Sequence, residues 1–73
     1  MNWEQAEQSW RHIDMHARST WPKLSDRDLA GIAGKREALV RKLREHYGLA
    51  EANAANQADS WIARIGTAAS VLR

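Results

Sequence analysis

Four tryptophans, at positions 3, 10, 21 and 61, must be sheltered by a chain of only 73 residues that contains no phenylalanine and no cysteine. Each indole can bury about 150–250 Å², whereas a domain this short hides proportionately little of its surface on folding. The rings are therefore expected to make the core. A single core of this size rarely supplies more than about 3–5 kcal/mol, and no disulfide can supplement it. The lack of cysteine is compatible with a reducing compartment.

The order of apolar residues sets how the rings are carried. Trp3, Ala6, Trp10, Ile13 and Ala17 alternate steps of three and four, which winds one stripe along a helix. Asn2 and Gln5 form an approximate capping box at its start, and Trp21-Pro22 forces its end by about residue 19 or 20. Ser25 with Asp28 opens a short second helix over 26 to about 33, which Gly31 weakens. Helical spacing resumes from Lys35 to Tyr47 through Leu39, Val40 and Leu43, and Gly48 stands where a left-handed cap belongs. A last helix from about Glu51 gathers Ala54, Ala58, Trp61, Ile62 and Ile65 on one face, with Asn53, Asn56, Asp59 and Arg64 opposite. Strand-like alternation, repeats and linkers are absent. The expectation is an all-α domain of four helices over residues 1–65, followed by a tail, 66–73, that Gly66 predisposes to fray.

The formal charge is +2, and the excess is local. Between Lys23 and Arg44 seven basic residues (Lys23, Arg27, Lys35, Arg36, Arg41, Lys42, Arg44) face three acidic ones (Asp26, Asp28, Glu37). Such a patch attracts anionic surfaces or serves as the solvated face of a helix. The polar, acidic start MNWEQAEQSWR has no apolar core of a secretory signal, and no run approaches the roughly 18 apolar residues of a membrane span. A cytoplasmic protein is expected.

Asn2-Trp3, Gln5, Trp10, Trp21, Lys23-Leu24-Ser25-Asp26, Asp28-Leu29, Ile32-Ala33-Gly34-Lys35-Arg36, Leu39-Val40, Tyr47-Gly48, Gln57 and Trp61 together resemble the CsbD-like family of small bacterial proteins, closest to its YjbJ branch. The resemblance runs without a gap from residue 1 to about 61. It implies a cytoplasmic protein of the general stress response, with no established enzymatic activity, folded as two helical hairpins packed crosswise in the manner of SAM-like domains. Three departures stand out. Met15 lies where glycine is common, in a segment (HIDMHARST) that is usually rich in lysine and glycine. Pro22 replaces a frequent glycine, and Ala50 stands where a serine or threonine would cap the last helix, a loss typically worth about 0.5–2 kcal/mol.

The segment LAGIAGKREALV also looks like the turn of helix-hairpin-helix modules, in which backbone amides at a helix start meet a DNA phosphate. On that reading Gly31, Gly34, Lys35, Arg36 and Arg41 are candidate anion or nucleic-acid contacts. Ala33, in place of the second glycine, and the single hairpin limit the fit. The alternative is a close bend that only packs two helices. A Walker loop is excluded, because Gly31 and Gly34 are three apart and Arg36, rather than Ser or Thr, follows Lys35.

His12 and His16 stand one turn apart, but HIDMH lacks the glutamate of HExxH and shows no obvious third ligand, so the pair is read as two exposed side chains. Asp26 and Asp28 belong at a helix start. The tryptophans could stack on single-stranded bases, yet Trp3, Trp10 and Trp61 lie on apolar stripes; Trp21, before proline, is the one expected to be only partly buried. No catalytic group, cofactor or metal is assigned. The expected function is a non-enzymatic one exercised through the surface, on a protein partner or a second copy of the chain. Weak sequence-independent nucleic-acid binding is the alternative.

Overall fold

Each helix start that the sequence marks with a side-chain cap carries one. In a computed structural model that describes residues 2–71, with side chains through residue 65, α1 (Trp3–Gln8) begins at a complete capping box. The Gln5 amide donates to Asn2 Oδ1 (2.8 Å) and the Asn2 amide to Gln5 Oε1 (3.2 Å). The third helix, α3 (Asp26–Ile32), repeats the device: the Asp28 amide donates to Ser25 Oγ (3.1 Å) and the Ser25 amide to Asp28 Oδ2 (3.0 Å). Between them runs α2 (Trp10–Thr20), which ends at Trp21-Pro22. After Gly34 comes α4 (Arg36–Tyr47), closed by Gly48 in the left-handed region (φ 64°). The last helix, α5, spans Glu51–Val71. The Ala54 amide donates to the Ala50 carbonyl (2.9 Å), the first turn of α5.

The described residues are helical without a strand, as expected, but the helix count differs. One helix from Trp3 to residue 19 or 20 is interrupted at Ser9 (φ −112°, ψ 17°), giving five helices instead of four. The Ser9 amide still donates to the Gln5 carbonyl (2.9 Å), while the Ser9 carbonyl accepts from His12, only three residues ahead (2.8 Å). The apolar stripe continues across the bend, so its spacing carries no sign of it. The physical reason is tertiary: Trp3 and Trp10 both reach Trp61, while the backbone at Ala6 and Glu7 lies against the α3–α4 turn. The backbone of α5 continues as helix past Gly66 to Val71, and the rest of the tail expected to fray, residues 72 and 73, lies outside the described residues.

Trp61 is the centre of the core. Its ring lies 5.4 Å from that of Trp21, 6.1 Å from Trp10 and 6.2 Å from Trp3, centroid to centroid. Such tilted and edge-on pairs add about 0.5–1.5 kcal/mol each beyond the area they bury. Leu24, Leu29, Ile32, Leu39, Val40, Leu43, Ala54, Ala58 and Ile62 fill the remaining interior. Alanines at 54 and 58 keep α5 thin where α4 packs against it.

Trp10 and Trp61 are buried as expected, but Trp3 and Trp21 exchange places. Trp21 is only 4 % exposed, and its indole N–H donates to Gln57 Oε1 (3.2 Å). Trp3 is the half-buried ring, with its N–H on Asp59 Oδ1 (3.2 Å). Proline ends a helix without deciding where the preceding side chain points. Trp10 donates to the Leu29 carbonyl (2.7 Å). Trp61, 2 % exposed, is left with no partner for its N–H among the described residues.

Candidate anion-binding surface

The α3–α4 turn is shaped by packing. Ala33 (φ 50°) and Gly34 (φ 80°) both occupy the left-handed region. A Cβ on Gly34 would stand 2.6 Å from the Ala6 carbonyl oxygen and 2.7 Å from Glu7 Cα. The Lys35 amide is taken by the Ile32 carbonyl (2.9 Å). Gly31 is an ordinary residue of α3 with open space around it. The two glycines therefore do not converge: Gly34 faces α1, and Gly31 faces out.

The three cations separate as well. Arg36 grips Asp59 across the α4–α5 seam, with Nε to Oδ1 at 2.8 Å and Nη2 to Oδ2 at 3.0 Å. This two-pronged geometry is among the stronger side-chain pairings. The bond from Arg36, followed by that from Trp3, holds the Asp59 carboxyl below its usual range against the opposing effect of burial. Asp59 in turn raises the Arg36 guanidinium. Arg36 is thus a structural tie whose charge is already answered.

Lys35 and Arg41 are exposed and have no ion-pair partner among the described residues. Arg44, three residues beyond Arg41 on the same helix, shares that condition. Arg36, Arg41 and Arg44 line a groove of about 330 Å³ with Glu37, Val40, Glu51 and Ala55. Arg41 also borders a hollow of about 480 Å³ with Trp3, Glu7, Lys35 and Ala38. It reaches a third, of about 430 Å³, beside Glu45, Gly48 and Leu49. The surface is mixed in sign, and its open cations gather around Arg41. Arg44 was legible from its spacing to Arg41, whereas Asp59, on another helix, was not.

A second polar cluster joins α3 to α4. The Asp28 carboxylate, which closes the α3 cap, also meets His46 Nε2 (3.0 Å) and Lys42 Nζ (3.5 Å), and Lys42 reaches Glu45 (3.5 Å). The Ser25 backbone bond, above all, holds Asp28 below the usual carboxylate range; His46 and Lys42 contribute, while burial opposes them. Nearby, the Lys23 amide donates to Tyr47 Oη (3.0 Å) with the Lys23 ammonium 5.0 Å above the ring, and Arg18 pairs with Asp26. The described residues hold no group of three or more His, Cys, Asp or Glu placed to share a metal ion. No described helix is long and apolar enough to cross a membrane.

These features define a small all-helical domain with an indole-centred core, tied along its seams by carboxylates. The chain is 38 % identical over 61 residues to UPF0337 protein YjbJ of Escherichia coli O6:H1, covering 84 % of this chain and 88 % of that one. It is equally similar, with the same coverage, to a UPF0337 protein of Pectobacterium atrosepticum. With YjbJ of Escherichia coli K12 it shares 34 % over 64 residues, 88 % of this chain and 93 % of the relative. The chain belongs to the UPF0337 family. No protein-family profile matches it, and no solved structure does.

Proposed function

We propose that this protein is a non-enzymatic interaction domain that engages an anionic partner through the exposed cations of α4. The CsbD-like resemblance adds a cytoplasmic setting in the bacterial stress response and a paired-hairpin arrangement of the helices. One observation carries the interaction reading: Lys35, Arg41 and Arg44 stand exposed without ion-pair partners around neighbouring grooves, while Arg36, Lys42 and Arg18 are held by carboxylates. Exposed cations without a partner beside a groove steer a negatively charged partner, and the carboxylates among them fix its register.

Nucleic acid is the second reading, favoured by the same three side chains, which suit phosphate oxygens. With the turn's glycine packed on α1, contact would be made by side chains instead of the hairpin amides. Titration with labelled duplex and single-stranded DNA, and with polyglutamate as a non-nucleic polyanion, separates the two. Three phosphate contacts would weaken duplex binding about 40-fold between 50 and 200 mM salt. Replacing Lys35, Arg41 and Arg44 by glutamate should abolish that binding and preserve the melting temperature. Arg36 is left unchanged, since altering it would break the tie to Asp59. Polyglutamate bound as tightly as DNA would assign an acidic protein partner, and failure of both polyanions to bind at low salt would refute the anionic-partner proposal.

A further inference from the structure

Met15 is 64 % exposed, the one large apolar side chain left in solvent among the described residues. A single exposed apolar side chain is ordinary on a protein surface; what distinguishes Met15 is its neighbours. Met15 lies on α2 three residues after His12 and next to His16, and all three side chains are exposed.

On a helix, residues three and four apart are neighbours, with Cβ atoms about 5–6 Å from one another. Side chains lean toward the helix start, so Met15 and His16 both bend back over His12. Neither imidazole makes a hydrogen bond or ion pair among the described residues, so their ring nitrogens are open to a ligand. On α2 the same face carries Ser19 and no carboxylate, and Arg11 flanks it.

We propose that His12, Met15 and His16 form a three-coordinate surface site for a soft monovalent cation, copper(I) being its chemical case. A thioether selects soft metals, imidazole accepts copper and zinc alike, and carboxylates, which suit harder ions, are missing from the face. The flanking arginine charge further disfavours a divalent ion relative to a monovalent one. The third ligand is a methionine thioether, a softer donor than imidazole or carboxylate.

Anaerobic titration of the whole chain with copper(I) from a competing chelator, and separately with zinc(II), tests the site. One copper(I) per chain should bind and shift the Met15 methyl resonance. Met15→Leu should weaken copper(I) at least about tenfold while changing zinc less than about twofold, and His12→Gln should weaken both. Unaltered copper(I) affinity in Met15→Leu would reduce the site to an ordinary histidine pair and overturn the proposal, as would a methyl resonance that copper(I) leaves in place. The side chains are exposed, so an unchanged circular dichroism melt verifies that each variant is folded.

Discussion

Three neighbouring residues, Gly31, Ala33 and Gly34, should answer substitution in different directions. Gly31→Ala meets nothing within 4 Å inside a regular helix and should stabilise by about 0.4–1 kcal/mol, by narrowing the unfolded ensemble. Ala33→Gly relieves a left-handed backbone that an L side chain adopts at about 1 kcal/mol, and should gain most of that. Gly34→Ala adds a Cβ at 2.6 Å from the Ala6 carbonyl in a left-handed residue and should cost about 2–4 kcal/mol. Urea unfolding midpoints measure all three. If Gly34→Ala were neutral, the α1 contact assigned to this turn would be wrong. The sequence identified the bend at this place but not the backbone it presses against. A glycine's spacing shows that the chain turns; what occupies the missing Cβ's place depends on a segment nearly thirty residues earlier.

Among the helices, starts and stops were legible because caps are local: Asn2 with Gln5, Ser25 with Asp28 and Gly48 act within one turn. The break at Ser9 was not, since a stripe that stays on one face looks the same whether or not the helix bends beneath it. Ala50 heads α5 without a capping side chain, so Ala50→Ser should raise stability by about 0.5–1 kcal/mol, visible as a higher melting temperature. Asp28 makes the α3–α4 joint sensitive to acid. Its folded carboxyl is held below the ordinary range, so its contribution is complete above that range and lost as pH falls through the lowered value. Melting temperature followed from pH 6 downward should therefore fall less steeply in Asp28→Asn than in the parent. Parallel profiles would show that the carboxylate has no such role. The tie between Arg36 and Asp59 was hidden for a different reason: helical periodicity places charges on faces but does not say which faces meet.

At the scale of the molecule, one ring joins everything. Trp61→Ala should cost about 3–5 kcal/mol, as much as a core of this size commonly provides, and the chain should lose its cooperative thermal transition. Trp61→Phe keeps an aromatic centre and removes the N–H left unpaired among the described residues. It should remain folded, with a smaller loss than truncation to alanine. If Trp61→Ala still melted cooperatively near the parent temperature, the three outer tryptophans would be sufficient by themselves.

The place of that ring in the chain also bears on how the protein is made. Trp3, Trp10 and Trp21 are synthesised before Trp61, the residue they all pack against, which lies on α5. Synthesis at about 5–20 residues per second leaves those indoles waiting roughly two to twelve seconds for their partner. The domain can complete its indole core only once α5 has been made, so the three outer rings stay without that partner until then.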